Sequence, residues 1–94
     1  MKFGIFYEHQ LPRPWEADGE YNLLQNSLTQ IEMADRLGYD YAWMVEHHFL
    51  EEYSHASSPE TFLGAASQRT KNIRLGFGII QATTNQPHRV AEKV

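Results

Sequence analysis

The chain has 94 residues, of which 41% are hydrophobic and 21% charged, with a formal net charge of −4 and no cysteine. That length allows one small domain or part of one, and the lack of cysteine excludes disulfides and thiolate metal sites. Eight Lys and Arg scattered singly give no basic stripe for nucleic acid, and no apolar run approaches the roughly 20 residues of a membrane span, so neither partner is expected.

The opening Met-Lys-Phe-Gly-Ile-Phe-Tyr-Glu-His meets charge too soon to read as a secretory leader, and a cytoplasmic location is the expectation. Lys2 to Tyr7, short and aromatic-rich, predicts a strand buried on both faces. Leu11-Pro-Arg-Pro14 then opens a loop. Leu24, Leu28, Ile31, Ala34 and Leu37 recur at spacings of four and three, which predicts an amphipathic helix of about four turns, with Gly38 in the left-handed cap position.

Tyr41 to Val45 predicts a second strand, followed by Glu46, His47 and His48 and a loop rich in charge and serine through Ser57. Ser58 as N-cap, Pro59 at the first helical position and Glu60 in the first turn start a second helix. Its packing side is Phe62, Leu63, Ala65 and Ala66, and Asn72 is its expected end. Ile73 to Ile80 predicts a third strand containing Gly76 and Gly78, and Gln86-Pro87 opens a third helix.

The order β-α-β-α-β-α argues for parallel strands joined by right-handed crossovers. Two architectures fit: an open doubly wound sheet, or the opening portion of an eight-fold β/α barrel. In both, functional groups gather beyond the C-terminal ends of the strands. Glu8 and His9, then Glu46 to His48, then Gln81 to Asn85 fall on that rim.

Three chemistries are open to those groups. A metal site is disfavoured because strand alternation sends Glu46 and His48 to one side and His47 to the other, and no His-Glu-x-x-His or His-x-His pair exists. Gly76-Phe-Gly78 follows a strand but lacks the third glycine of a dinucleotide fingerprint; it marks a place where another backbone or a flat ligand could come close, or loose packing. Acid–base work by His47 is the third, with a structural imidazole as its plain alternative.

Phe3-Gly-Ile-Phe-Tyr7, Leu37-Gly-Tyr-Asp-Tyr-Ala-Trp43, Glu46-His-His-Phe49, Ser58-Pro59, Arg69-Thr-Lys-x-Ile-Arg-Leu-Gly76 and Gln86-Pro-x-Arg-Val-Ala-Glu92 together resemble the N-terminal part of the bacterial-luciferase-like, flavin-dependent monooxygenases. The resemblance implies a parallel (β/α)8 TIM barrel, of which residues 1–94 form a single partial domain, incomplete in this chain and inactive alone. It implies reduced FMN as cofactor, or a deazaflavin in its place, supplied by a flavin reductase. Dioxygen and a small organic substrate are the implied reactants, and a homo-oligomer the implied assembly. By the same resemblance His47 is the catalytic acid–base, and Gly78 and Ile79 lie under the flavin ring, joined by a non-proline cis peptide. Two rival readings are a non-catalytic assembly piece that pairs through open sheet edges and a metal-dependent barrel hydrolase.

Overall fold

A computed structural model describes residues 1–94. Six elements follow in order: β1 (Gly4–Tyr7), α1 (Gly19–Arg36), β2 (Tyr41–Met44), α2 (Pro59–Ser67), β3 (Arg74–Phe77) and α3 (Pro87–Lys93). The three strands are parallel and lie in sequence order, with Phe6, Trp43 and Gly76 in one row and Tyr7, Met44 and Phe77 in the next.

α1 is longer than its apolar stripe predicts, 18 residues, because Glu20 in the first turn and Arg36 in the last both complement the helix dipole. It ends as expected. Gly38 adopts φ 83°, its N–H donates to Asp35 O at 3.2 Å, and Tyr39 N–H donates to Ala34 O at 3.0 Å, the paired hydrogen bonds of a Schellman cap.

α2 stops at Ser67 rather than at Asn72. The N–H groups of Gln68 and Arg69 bond to Ala65 O and Ala66 O, tightening the last turn. Those of Lys71, Asn72 and Ile73 are then taken by the Asp35 carboxylate at 2.7–2.9 Å, so the chain turns into β3 instead of continuing as helix. These bonds hold Asp35 below the usual carboxylate range.

The core lies between one face of the sheet and the first two helices: Tyr7, Ala42 and Met44 pack with Leu28, Ile31, Ala34, Phe62, Leu63 and Ala66. Burying a side chain such as Ile31 or Met44 contributes ~2–3 kcal/mol. The expectation of strands buried on both faces holds for one face only. Phe6, at 53% exposure, and Trp43, at 37%, look out from the other, because successive strand residues alternate sides and all of this core packs against one of them.

On that open face the two strand glycines have a definite use. A Cβ on Gly76 would lie 2.5 Å from Trp43 Cζ3, and one on Gly78 would lie 2.5 Å from Phe6 Cε2. The rings of Trp43 and Phe6 therefore rest on glycine backbone, and the space is neither loose packing nor empty.

Candidate active site

The C-terminal ends of the strands gather the polar residues on one rim. Glu46, two residues past β2, was expected at a mouth but is 4% exposed. It can be buried because its oxygens meet three donors: Gln81 N at 3.1 Å, Asn85 Nδ2 at 3.0 Å and His48 Nε2 at 3.0 Å. Burial pushes its carboxyl up, but these bonds, with the Lys93 charge, outweigh that and hold it below the ordinary value. Lys93 Nζ in turn reaches Asn85 Oδ1 at 3.1 Å and Glu60 Oε1 at 2.9 Å, tying α3 back to α2. Glu46 is thus the anchor of the loop after β3.

β2 ends at Met44, before the triplet, yet Glu46 and His48 meet while His47 Nε2 turns to Glu8. His47 Nε2 lies 3.4 Å from Glu8 Oε2, its backbone N–H donates to Ala56 O at 2.9 Å, and Tyr53 packs edge-on against its ring at 5.7 Å. The loop between β2 and α2 also clasps the end of β1: Ser54 Oγ donates to Glu8 O at 2.6 Å, His55 N to His9 O at 2.9 Å, and Leu11 N to Glu52 O at 3.0 Å.

His9 lies on the same rim, where sequence spacing placed it without a part to play. It adopts φ 52°, is 3% exposed, and both ring nitrogens are buried without a hydrogen-bond partner. Phe62 stands edge-on at 4.7 Å and Tyr7 lies tilted at 5.4 Å. Burial, with the nearby His55, pushes its pKa down to about 4, so the ring is neutral at neutral pH. Tyr7 itself, its phenol pushed up to about 12 by burial, donates to Gln30 Oε1 at 3.2 Å.

His47 and His48 line a cleft of about 420 Å³ with Phe49, Leu50, Ser54 and Ser57, a size within the range of small-ligand sites. A second cleft of about 350 Å³ runs between α1 and α2 over Leu28, Met44 and Phe62, on the helix-covered side of the sheet; Glu20 and His55 border both. Gly78 and Ile79 line neither, so the structure does not bring them into one cavity with His47. They lie exposed at the end of β3, where Gly78 N donates to Met44 O at 2.8 Å. Their peptide bond is trans: the cis peptide of this chain is Arg13–Pro14. A cis bond without proline costs about 2.5–4 kcal/mol, whereas the cost before proline is far smaller.

An isoalloxazine needs an apolar plane and hydrogen-bonding groups at its edge. Phe6 and Trp43 present apolar rings on the open sheet face, and His47, His48 and Gln81 follow the C-terminal ends of β2 and β3. The residues present fit a flavin. No group of three or more His, Asp or Glu is placed to hold a metal ion, and no helix is long and apolar enough to cross a membrane.

The family described as luciferase-like monooxygenase matches residues 1–94. The limonene 1,2-monooxygenase of Rhodococcus erythropolis is 37% identical over the whole chain, which covers 23% of that protein. Monooxygenase RslO1 from Streptomyces bottropensis superposes with a TM-score of 0.81 at 35% identity, over 99% of this chain and 28% of that one. The oxygenating constituent of 3,6-diketocamphane monooxygenase from Pseudomonas putida, solved with FMN, gives a TM-score of 0.84 at 20% identity over all of this chain and 25% of that one. The chain therefore spans about a quarter of the length of these relatives, and its β1-β2-β3 order is the opening of their barrel rather than of a doubly wound sheet. With the whole of its length matched, this chain belongs to the luciferase-like monooxygenase family.

Proposed function

We propose that residues 1–94 form the first three strand–helix units of a flavin-dependent monooxygenase barrel, and that the rim after β1, β2 and β3 is part of its active site. The observation that carries this reading is the family match over the whole chain together with His47 on that rim, partly exposed and bordering a cleft. Reduced FMN, bound there, would activate dioxygen for insertion into a small organic substrate. A deazaflavin is the alternative cofactor. A flavin reductase as electron source, assembly into a homo-oligomer and inactivity of the 94-residue chain by itself belong to the same proposal.

The chain's own residues have separate tasks in it. Gly78 and Ile79 would support the ring from below, beside Phe6 and Trp43. His47 would hold and return a proton at the reacting edge, a task for which an imidazole suits neutral pH. Glu46 would keep Gln81 in place at the margin through its hydrogen bond to the backbone N–H.

The test is a chimera in which these 94 residues replace the matching quarter of the Rhodococcus limonene enzyme, titrated anaerobically with reduced FMN. Tight binding is expected, weakened at least tenfold by Ile79→Asp, which sets a carboxylate against an apolar ring face. Equal affinity in the two proteins would remove Ile79 from the site. A folded chimera that binds no flavin would refute the reading.

A further inference from the structure

Two ring nitrogens of His47 are available for acid–base work, and the surroundings of Glu8 distinguish them. Glu8 directly follows β1, and the main chain there is held on both sides: Glu8 O accepts from Ser54 Oγ at 2.6 Å, and Tyr7 O accepts from Val45 N at 3.3 Å. The carboxylate is thereby carried toward the end of β2. Its Oε2 is buried and has no hydrogen-bond donor, and His47 Nε2, at 3.4 Å, stands at ion-pair distance from it. A buried acceptor left unpaired costs ~1–3 kcal/mol, so a proton on Nε2 is strongly favoured over a bare lone pair there. The main chain of His47 is fixed by its bond to Ala56 O, and Tyr53 packs against the ring at 5.7 Å. Nδ1 has no partner within the chain.

We propose that Glu8 is a positioning residue for His47: it accepts the Nε2 proton, fixes the neutral ring as the Nε2–H tautomer, and leaves Nδ1 as the atom that takes and returns the proton. The logic is that of a base oriented by a third group. When Nδ1 gains a proton, the cation formed faces the Glu8 carboxylate, and when Nδ1 gives it up the ring returns to the same tautomer. The assignment of Nδ1 rests on the reading of His47 as acid–base, whereas the tautomer itself does not, so the two can fail separately.

The experiment is a long-range 1H–15N spectrum of the 94-residue chain labelled at histidine, recorded at alkaline pH where imidazoles are neutral. His47 is expected as Nε2–H. In Glu8→Met, which keeps volume and removes the acceptor, the Nδ1–H form should rise several-fold; in Glu8→Gln, which retains an acceptor oxygen, Nε2–H should persist. Finding His47 as Nδ1–H in the unaltered chain overturns the proposal, and that spectrum decides even where Glu8→Met does not fold. Unchanged tautomer populations in a folded Glu8→Met chain overturn it equally. In the chimera, Glu8→Met should lower kcat at least tenfold while leaving flavin affinity in place; full kcat alongside a shifted tautomer would remove Nδ1 from its assigned task.

Discussion

Replacing Glu46 by Gln changes one oxygen for an NH2 group and nothing in volume. The site punishes that exchange because three donors, Gln81 N, Asn85 Nδ2 and His48 Nε2, converge on a carboxylate that is 4% exposed. A carboxamide has one acceptor oxygen, so its NH2 must point at another donor. One charge-assisted bond is lost, worth ~1.5–3 kcal/mol, and a buried donor is left facing a donor. We expect a total cost of ~2–4 kcal/mol, a large share of the stability of a small domain. With a urea slope of about 2 kcal/mol per M, the middle of the range for small proteins, the midpoint should fall by roughly 1–2 M. Equilibrium unfolding of the 94-residue chain measures this, and amide exchange locates it, since the Gln81 N–H should lose protection first. An unchanged midpoint together with a protected Gln81 amide would refute the view of Glu46 as the loop's anchor.

His9 should make the fold acid-sensitive in a defined window. Burial lowers its folded pKa to about 4 from an ordinary 6.5, so the unfolded chain binds the proton first; stability is full above pH 6.5, falls as pH drops to 4 and is level below it. The loss is ~3 kcal/mol, and His9→Phe should flatten that part of a stability–pH curve. Asp35 has the same dependence on pH for a different reason: its depressed carboxyl stabilises the fold above the usual Asp range and the contribution fades as pH falls through the folded value. Asp35→Asn should lower the melting temperature at pH 7 and shrink that acid limb, and an unaltered melting curve would count against the turn it caps. Gly76→Ala should push the Trp43 ring off the sheet at a cost of ~1–3 kcal/mol, read as a red-shifted Trp43 emission in a Trp15→Phe background.

The element order and the parallel sheet were legible because each signal was local: apolar spacing for α1, Gly38 for its cap, Ser58-Pro59 for the start of α2. Where the reading strayed, the deciding contact lay far along the chain. Asn72 looked like a helix end because Asp35, 37 residues earlier, could not be seen gathering the N–H groups of the turn. Glu46 looked like a rim carboxylate because its donors Gln81 and Asn85 lie 35 and 39 residues on. Gly76 and Gly78 marked a close approach, but sequence alone could not say that the approaching groups are the rings of Trp43 and Phe6. His9 was placed on the rim by sequence spacing, but its burial was not legible, since that depends on Phe62 from α2. The resemblance to a family reached the barrel, while the cis peptide it suggested at Gly78–Ile79 is trans in this chain.

His47 is the residue on which the proposed proton chemistry rests most directly. In the chimera, turnover of substrate with reduced FMN and dioxygen should fall by about 10²–10⁴-fold in His47→Ala, the range for loss of a general acid–base, while flavin affinity stays within a few-fold of the parent. Unreduced kcat in a folded, flavin-loaded His47→Ala protein would contradict the claim that this rim carries the proton chemistry.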